Sequence, residues 1–377
     1  MNLNELESKT IDFVRFPLAI FIVFWHMNPK GTPLVDNLHL FSAESLRYIL
    51  EVGISSQLVQ IAVPVFFMIS GYLFFKNINS KNLLGGGVKI KIRKRTFSLF
   101  IPYMLWNTIA IIVTIGFMVL RTMLKSHNWN EILDYIYSVI PLGYWVFSAR
   151  ELSATNIVGI HYMEFTPVDA PLWFVRDLMV MVLISPLIYH LIKRFSKMAL
   201  IVLSICFITG LSVHIPGLEI RAILFFSLGA YFAIHTENMV LCVSKISIWC
   251  YIITIIYFVL ALYYGKNYAI GMVFHNIYVL FGSLSILPLI SILTRRKNYK
   301  MPGFLTRSCF FVYSMHTICI LGYMKAIMNK ILPWDNTVID ILRFYTTPLL
   351  TVSFIVIIYW IVEKKFPKIA SVLSGGR

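Results

Sequence analysis

The sequence predicts an all-α polytopic membrane protein: a bundle of about ten transmembrane helices with both termini cytoplasmic, filling residues 1–377 as one membrane domain. Three observations carry that expectation. Hydrophobic residues make up 58% of the chain and charged ones only 13%, about half the charged share of a soluble protein. Apolar runs of roughly 18 to 23 residues recur, each long enough to cross a bilayer. Lysine and arginine also concentrate in alternate connections, the bias that orients membrane helices.

The first span is read at 12–27. Its leader, MNLNELESKTID, carries Glu5, Glu7 and Asp12 and lacks the basic character of a signal peptide, and no small-residue cleavage site follows His26. It is therefore expected to stay as a permanent helix. Further spans are expected at about 58–75, 99–120, 171–192, 198–213, 221–235, 247–264, 270–293, 308–329 and 344–362. Residues 135–147 form an eleventh candidate, but they contain Pro141 and Gly143 and are flanked by Glu131, Asp134 and Arg150. An interfacial or re-entrant piece is the better reading.

Charge placement supports ten spans. With the N-terminus inside, 21 Lys and Arg fall on the inner side and 9 on the outer. An eleventh span would throw Arg295, Arg296, Lys297, Lys364 and Lys365 outside. The net charge of +16 would point to nucleic acid in a soluble chain; here it is topogenic, and no nucleic-acid partner is expected. The five cysteines (Cys206, Cys242, Cys250, Cys309, Cys319) show no CxxC or Cys/His spacing, so they read as small apolar fillers with no metal.

One stretch stands out chemically. RFPLAIFIVFWH runs from Arg15 to His26 with only apolar residues between. Eleven helical steps are about three turns and about 16 Å, so both side chains share nearly one face. Alone, the arginine could be an interfacial anchor and the histidine a solvated bystander. Polar groups on a helix face that must pack against protein point instead to a polar path between the two sides.

IDFVRFPLAIFIVFWH resembles the first-helix signature of acyltransferase family 3, an arginine followed by a histidine at this spacing, with Asp12 at the acidic position before it. VPVFFMISGYLFF (63–75) is similar to that family's FF-x-x-SG segment, and KIKIRKRTFSLFIP (89–102) to its Arg-rich approach to the third helix. APLWFVRDLMVMVLISP (170–186) resembles the P-x-W-F/Y segment, and FVYSMHTICI (311–320) the Y-x-x-H segment. The matches run from the first helix to the ninth. Phe16-Pro17 departs from the Arg-Gly or small residue common in the family.

The resemblance implies transfer of an acyl group, usually acetyl from acetyl-CoA or another acyl-CoA, to a hydroxyl of a cell-surface or lipid-linked saccharide. It implies no tightly bound cofactor, and a setting in a bacterial cytoplasmic membrane among its lipids. His26 would act as general base or acyl carrier. Arg15 would bind donor phosphate or stabilise negative charge, oriented by Asp12. His316 and Tyr313, three residues apart, would wall the site. Arg93, Lys94 and Arg95 would seat the CoA phosphates, in a basic loop from Lys76 to Arg95 that includes the run Gly85-Gly86-Gly87; topogenic charge is the plainer reading of that loop. Ser70 and Gly71 would border the pantetheine route or simply let helices approach. Trp173, Arg176 and Asp177 would contact the acceptor, or the last two would form an internal ion pair. A saccharide transporter or flippase is the alternative class; duplicated broken helices would favour it, and the sequence shows none.

Overall fold

The computed structural model describes residues 3–29, 31–36, 42–76, 78, 87–125, 129–139, 150–155, 161–211, 215–235, 238–240, 248–297 and 301–376. Helix α1 (Leu3–Trp25) is followed by α2 (Ala43–Phe75), α3 (Gly87–Lys125) and α4 (Trp129–Val139). Strands β1 (Arg150–Thr155) and β2 (His161–Thr166) come next. Then follow α5 (Trp173–Leu183), α6 (Ser185–Ile208), α7 (Ile220–His235), α8 (Ile248–Tyr264), α9 (Ala269–Lys297), α10 (Gly303–Ile331), α11 (Thr337–Lys365) and α12 (Pro367–Leu373).

The surface is inverted relative to a soluble protein. Met123, Leu124, Leu187, Met198, Ile248 and Val338 are exposed, an apolar coat that lipid would solvate. Many hydroxyls inside the helices bond back to their own helix, as Ser283 does to the Val279 carbonyl at 2.6 Å and Thr351 to that of Thr347 at 2.8 Å, though those of Ser227 and Ser314 do not. Such bonds leave no donor stranded where water is absent. By length and composition α2, α3, α9, α10 and α11 can each cross a membrane, and α7 and α8 are shorter apolar helices. The chain is a multi-pass helical membrane protein.

α1 is the central packing element, touching α2, α9, α10 and α11. α2 and α7 pack most closely. A Cβ on Gly71 would sit 2.2 Å from the Phe226 carbonyl oxygen, and one on Gly229 would sit 2.0 Å from that of Met68. Two glycines therefore let two backbones touch. Beside this crossing, Glu7 accepts bonds from the Tyr72 hydroxyl, the Lys76 ammonium and the Met239 amide, tying α1 to α2.

Some expectations hold and others are corrected. The bundle is all-helical as expected, and β1 and β2 add an antiparallel pair, with Arg150 opposite Thr166 and Thr155 opposite His161, in residues expected as loop between the third and fourth spans. The helix expected at 58 begins at Ala43, where the Ser42 hydroxyl caps the Ser45 amide at 3.1 Å, and it passes through a π-helical stretch, Tyr48–Gln57. Of the expected basic loop from Lys76 to Arg95, residues 87–95 belong to α3, which starts at Gly87; residues 79–86, with Gly85 and Gly86, lie outside the described residues. Of the interfacial candidate 135–147, the first part belongs to α4 and Pro141 and Gly143 lie outside the described residues. The expected gap between the spans at 171–192 and 198–213 is matched, since the backbone of α6 breaks at Ser196 (φ 46°, ψ −120°).

Candidate active site

The polar groups gather at the C-terminal end of α1. α1 ends at Trp25, so His26 stands in the turn just beyond the helix, closed by bonds from the Met27 amide to the Phe24 carbonyl (3.1 Å) and from the Asn28 amide to that of Trp25 (3.3 Å). Lys325, reaching from α10, donates to the carbonyls of His26 (2.9 Å) and Met27 (3.2 Å). A cation on the terminal carbonyls of a helix is favourable by charge and by hydrogen bonding. Lys325 therefore pins the turn that carries His26.

His316 arrives from α10, and its ring centroid lies 4.9 Å from that of His26. Its Nδ1 is 2.7 Å from the Tyr313 carbonyl. A carbonyl only accepts, so Nδ1 carries the proton and Nε2 of the neutral ring holds the lone pair. Nε2 of His316 and Nε2 of His26 are both buried without a hydrogen-bond partner among the described residues. Immediately after His316 the helix widens into a π-turn, His316–Ile320, and breaks at Ile318 and Cys319 (φ 68°). π-turns of this kind cluster at functional sites. The break separates α10 into two segments and sets His316 at their junction.

Thr317 donates to the Asp169 carboxylate at 2.8 Å. The backbone amide of Asp169 donates to Asn107 at 3.0 Å, and the Asn107 amide group to the Tyr103 carbonyl at 2.9 Å. Asp169 is 3% exposed, and its second carboxylate oxygen has no hydrogen-bond partner among the described residues, nor does the Tyr313 hydroxyl. These groups form a buried polar layer beside His316, linking α3, the segment before α5, and α10.

The expected site residues fall at several separate places. His26, His316 and Tyr313 are brought together: Tyr313 and His316 centroids lie 6.4 Å apart. Trp173 is half-buried and lines a water-sized space beside Trp25. Arg176 and Asp177, 3% and 0% exposed, pair with each other at 2.9 Å, which is the internal ion pair of the two readings. Gly71 serves the α2–α7 crossing and Ser70 beside it is half-buried.

Three turns back along α1, Arg15 is paired with Asp12 at 3.1 Å. Of the basic trio on α3, Arg93 and Lys94 are exposed while Arg95 is half-buried and lies within electrostatic reach of Arg15. A helix turns about 100° per residue, so three consecutive side chains cannot share a face. Lys76 and Lys91 are held by other partners, Glu7 and the Lys76 carbonyl respectively.

Sequence reasoning passed over Lys325 and Asp169. Lys325 carried a signal, as a cation inside a span is costly unless it has a partner. Asp169 carried none, since an acid just before a helix reads as an ordinary loop residue.

Fold and site together define a class: a helical membrane protein with an internal imidazole pair able to accept and return protons. The chain belongs to acyltransferase family 3, whose model, described as an acyltransferase domain, matches residues 8–363. It is also similar to the succinoglycan biosynthesis protein ExoH of Rhizobium meliloti (strain 1021), with 24% identity over 388 residues, covering 98% of this chain and 92% of that protein. No solved structure matches the chain.

Proposed function

We propose that this protein transfers an acyl group, acetyl in the simplest case, from cytoplasmic acyl-CoA to a hydroxyl of a cell-surface or lipid-linked saccharide. The observation that carries the reading is the His26–His316 pair, with its two buried and unpartnered Nε2 atoms, in a chain of an acyltransferase family. The similarity to a protein named for succinoglycan biosynthesis supports a saccharide acceptor and keeps acyl groups other than acetyl within the reading.

The chemistry is general base catalysis. One imidazole takes the proton from the acceptor hydroxyl as its oxygen attacks the thioester carbonyl. The tetrahedral intermediate collapses, the C–S bond breaks, and the thiolate recovers a proton from the imidazolium, releasing free CoA. His316, with Nδ1–H anchored on a carbonyl, is the better oriented base. His26 beside it is the group to relay the proton or to hold the acyl group in passing. Arg15 and Arg95 are assigned to the donor phosphates, which suit guanidinium oxygen-binding geometry.

The test is thiol release. Purified protein given acetyl-CoA or succinyl-CoA with a panel of saccharides should liberate CoA only when a suitable acceptor is present. Saccharide movement across vesicles that is indifferent to acyl-CoA would replace this reading with the flippase alternative.

A further inference from the structure

Asp169 stands where a carboxylate ordinarily caps a helix start, just before the 3-10 turn Ala170–Leu172, yet its side chain makes no capping bond. It turns instead to Thr317, whose hydroxyl donates to Oδ1 at 2.8 Å across 148 positions of sequence. The backbone of Asp169 is fixed on both sides. Its amide donates to Asn107 on α3 at 3.0 Å, and its carbonyl accepts from the Leu172 amide at 3.0 Å.

Thr317 is diverted in the same way. Several threonines elsewhere in the bundle donate to the carbonyl four residues back, as Thr254 does to Cys250, Thr294 to Ile290 and Thr347 to Arg343. For Thr317 that carbonyl belongs to Tyr313, and His316 Nδ1 already lies 2.7 Å from it. A hydroxyl has one proton to give. While Thr317 gives it to Asp169, it does not compete with the imidazole for the Tyr313 carbonyl. A side chain bonded into the helix ladder is an ordinary cause of a break such as the one at Ile318 and Cys319. No hydrogen bond joins Asp169 to the ring itself, since Nδ1 faces backbone carbonyls and Nε2 has no partner among the described residues. Which nitrogen of a neutral histidine carries the proton is set by the bond the ring makes.

We infer that Asp169 is a positioning residue for His316: by drawing the Thr317 hydroxyl off its own helix, it leaves the Tyr313 carbonyl to Nδ1–H and so keeps the reactive lone pair on Nε2. This rests on the acyltransferase reading for its effect on turnover, but not for its effect on the ring.

The test is nitrogen NMR of the full-length protein carrying isotope-labelled histidine, with the His316 signal identified by its loss in His316→Ala. The parent should show the Nδ1–H form at His316. Asp169→Ala should convert it to a mixture of the two tautomers and lower turnover about tenfold. Asp169→Asn, whose amide oxygen still accepts from Thr317, should restore the Nδ1–H form and most of the turnover. Removing the competing hydroxyl should rescue the ring as well, so Asp169→Ala combined with Thr317→Val should return to Nδ1–H. A parent in the Nε2–H form overturns the inference whether or not any variant folds. So does an unchanged ring in Asp169→Ala, or a double variant no better than Asp169→Ala. Turnover lost in Asp169→Asn with the ring unchanged also overturns it, and makes the carboxylate itself part of the chemistry. If no acceptor draws CoA release from the parent, the acyltransferase reading falls, while the ring measurements still decide the role of Asp169.

Discussion

His26 and His316 lie 290 positions apart in sequence and 4.9 Å apart by ring centroid, so the two should behave as a unit. His26→Ala and His316→Ala are each expected to lower turnover by about 100- to 10,000-fold. The double variant should cost little more than the worse single one, because groups acting in one step are not additive. Thiol-release kinetics on protein of normal abundance would check this, and near-normal activity in either single variant would remove that histidine from the mechanism. Lys325 acts on the pair indirectly, through the carbonyls at the end of α1. Lys325→Met should lower kcat by about tenfold, in keeping with up to about 2 kcal/mol for a cation at a helix terminus. It should leave KM for acyl-CoA nearly unchanged, and Lys325→Arg should recover part of the loss. A change confined to KM would show that Lys325 meets the donor itself. On the inner side, Arg95→Gln should raise KM for acyl-CoA about tenfold, and high salt should do the same to the parent protein. Arg93→Gln should change it by less than about twofold, since the Arg93 side chain is exposed to solvent. Equal effects at the two positions would mean that the donor is held by diffuse charge alone.

Among the elements, α2 and α7 carry the tightest constraint. Backbone carbonyls stand 2.2 and 2.0 Å from the places where a Cβ on Gly71 or Gly229 would sit, and a backbone cannot swing aside as a flexible side chain can. Gly71→Ala and Gly229→Ala should each destabilise the protein by about 1–3 kcal/mol, read as a lower midpoint of thermal unfolding in detergent. An unchanged midpoint for both would mean that the two helices do not pack as described. α10 is organised differently. Its break at Ile318–Cys319 and π-turn at His316–Ile320 divide one membrane-length helix into a segment that carries Tyr313 and His316 and another that carries Lys325. The same helix can then meet both the buried layer around Asp169 and the end of α1.

For the whole molecule, the bias of 21 inner to 9 outer basic residues makes the topology testable. A reporter fused after Lys365 should be cytoplasmic and one inserted at Asn336 external, with Thr337–Lys365 crossing between them. An external C-terminal reporter would invert the bundle and move the arginine end to the outside. With the expected orientation, acyl-CoA meets Arg15 and Arg95 from the cytoplasm, and the acceptor meets the histidines toward the opposite face.

Composition and the positive-inside bias were enough to read a multi-pass helical protein, because lipid forces every spanning backbone to satisfy its own hydrogen bonds and leaves a long apolar run as the signature. Arg15 and His26 stand out in the sequence because a costly polar residue in such a run needs a reason to be there, whereas Tyr313 and His316 stand out only through the family resemblance. The strand pair at 150–166, the helix from Ala43 and the helical start of α3 at Gly87 were not legible, because polar connections outside the bilayer carry no such obligatory pattern. Pattern along the chain is enough to read a membrane protein and to single out the arginine and histidine of its first helix. The packing of the helices decides that His26 faces His316, that Lys325 pins the turn that carries His26, and that Arg176 pairs with Asp177. Partnership is a property of distance between helices, and helical periodicity records which way a side chain points along its own axis but not what stands opposite it.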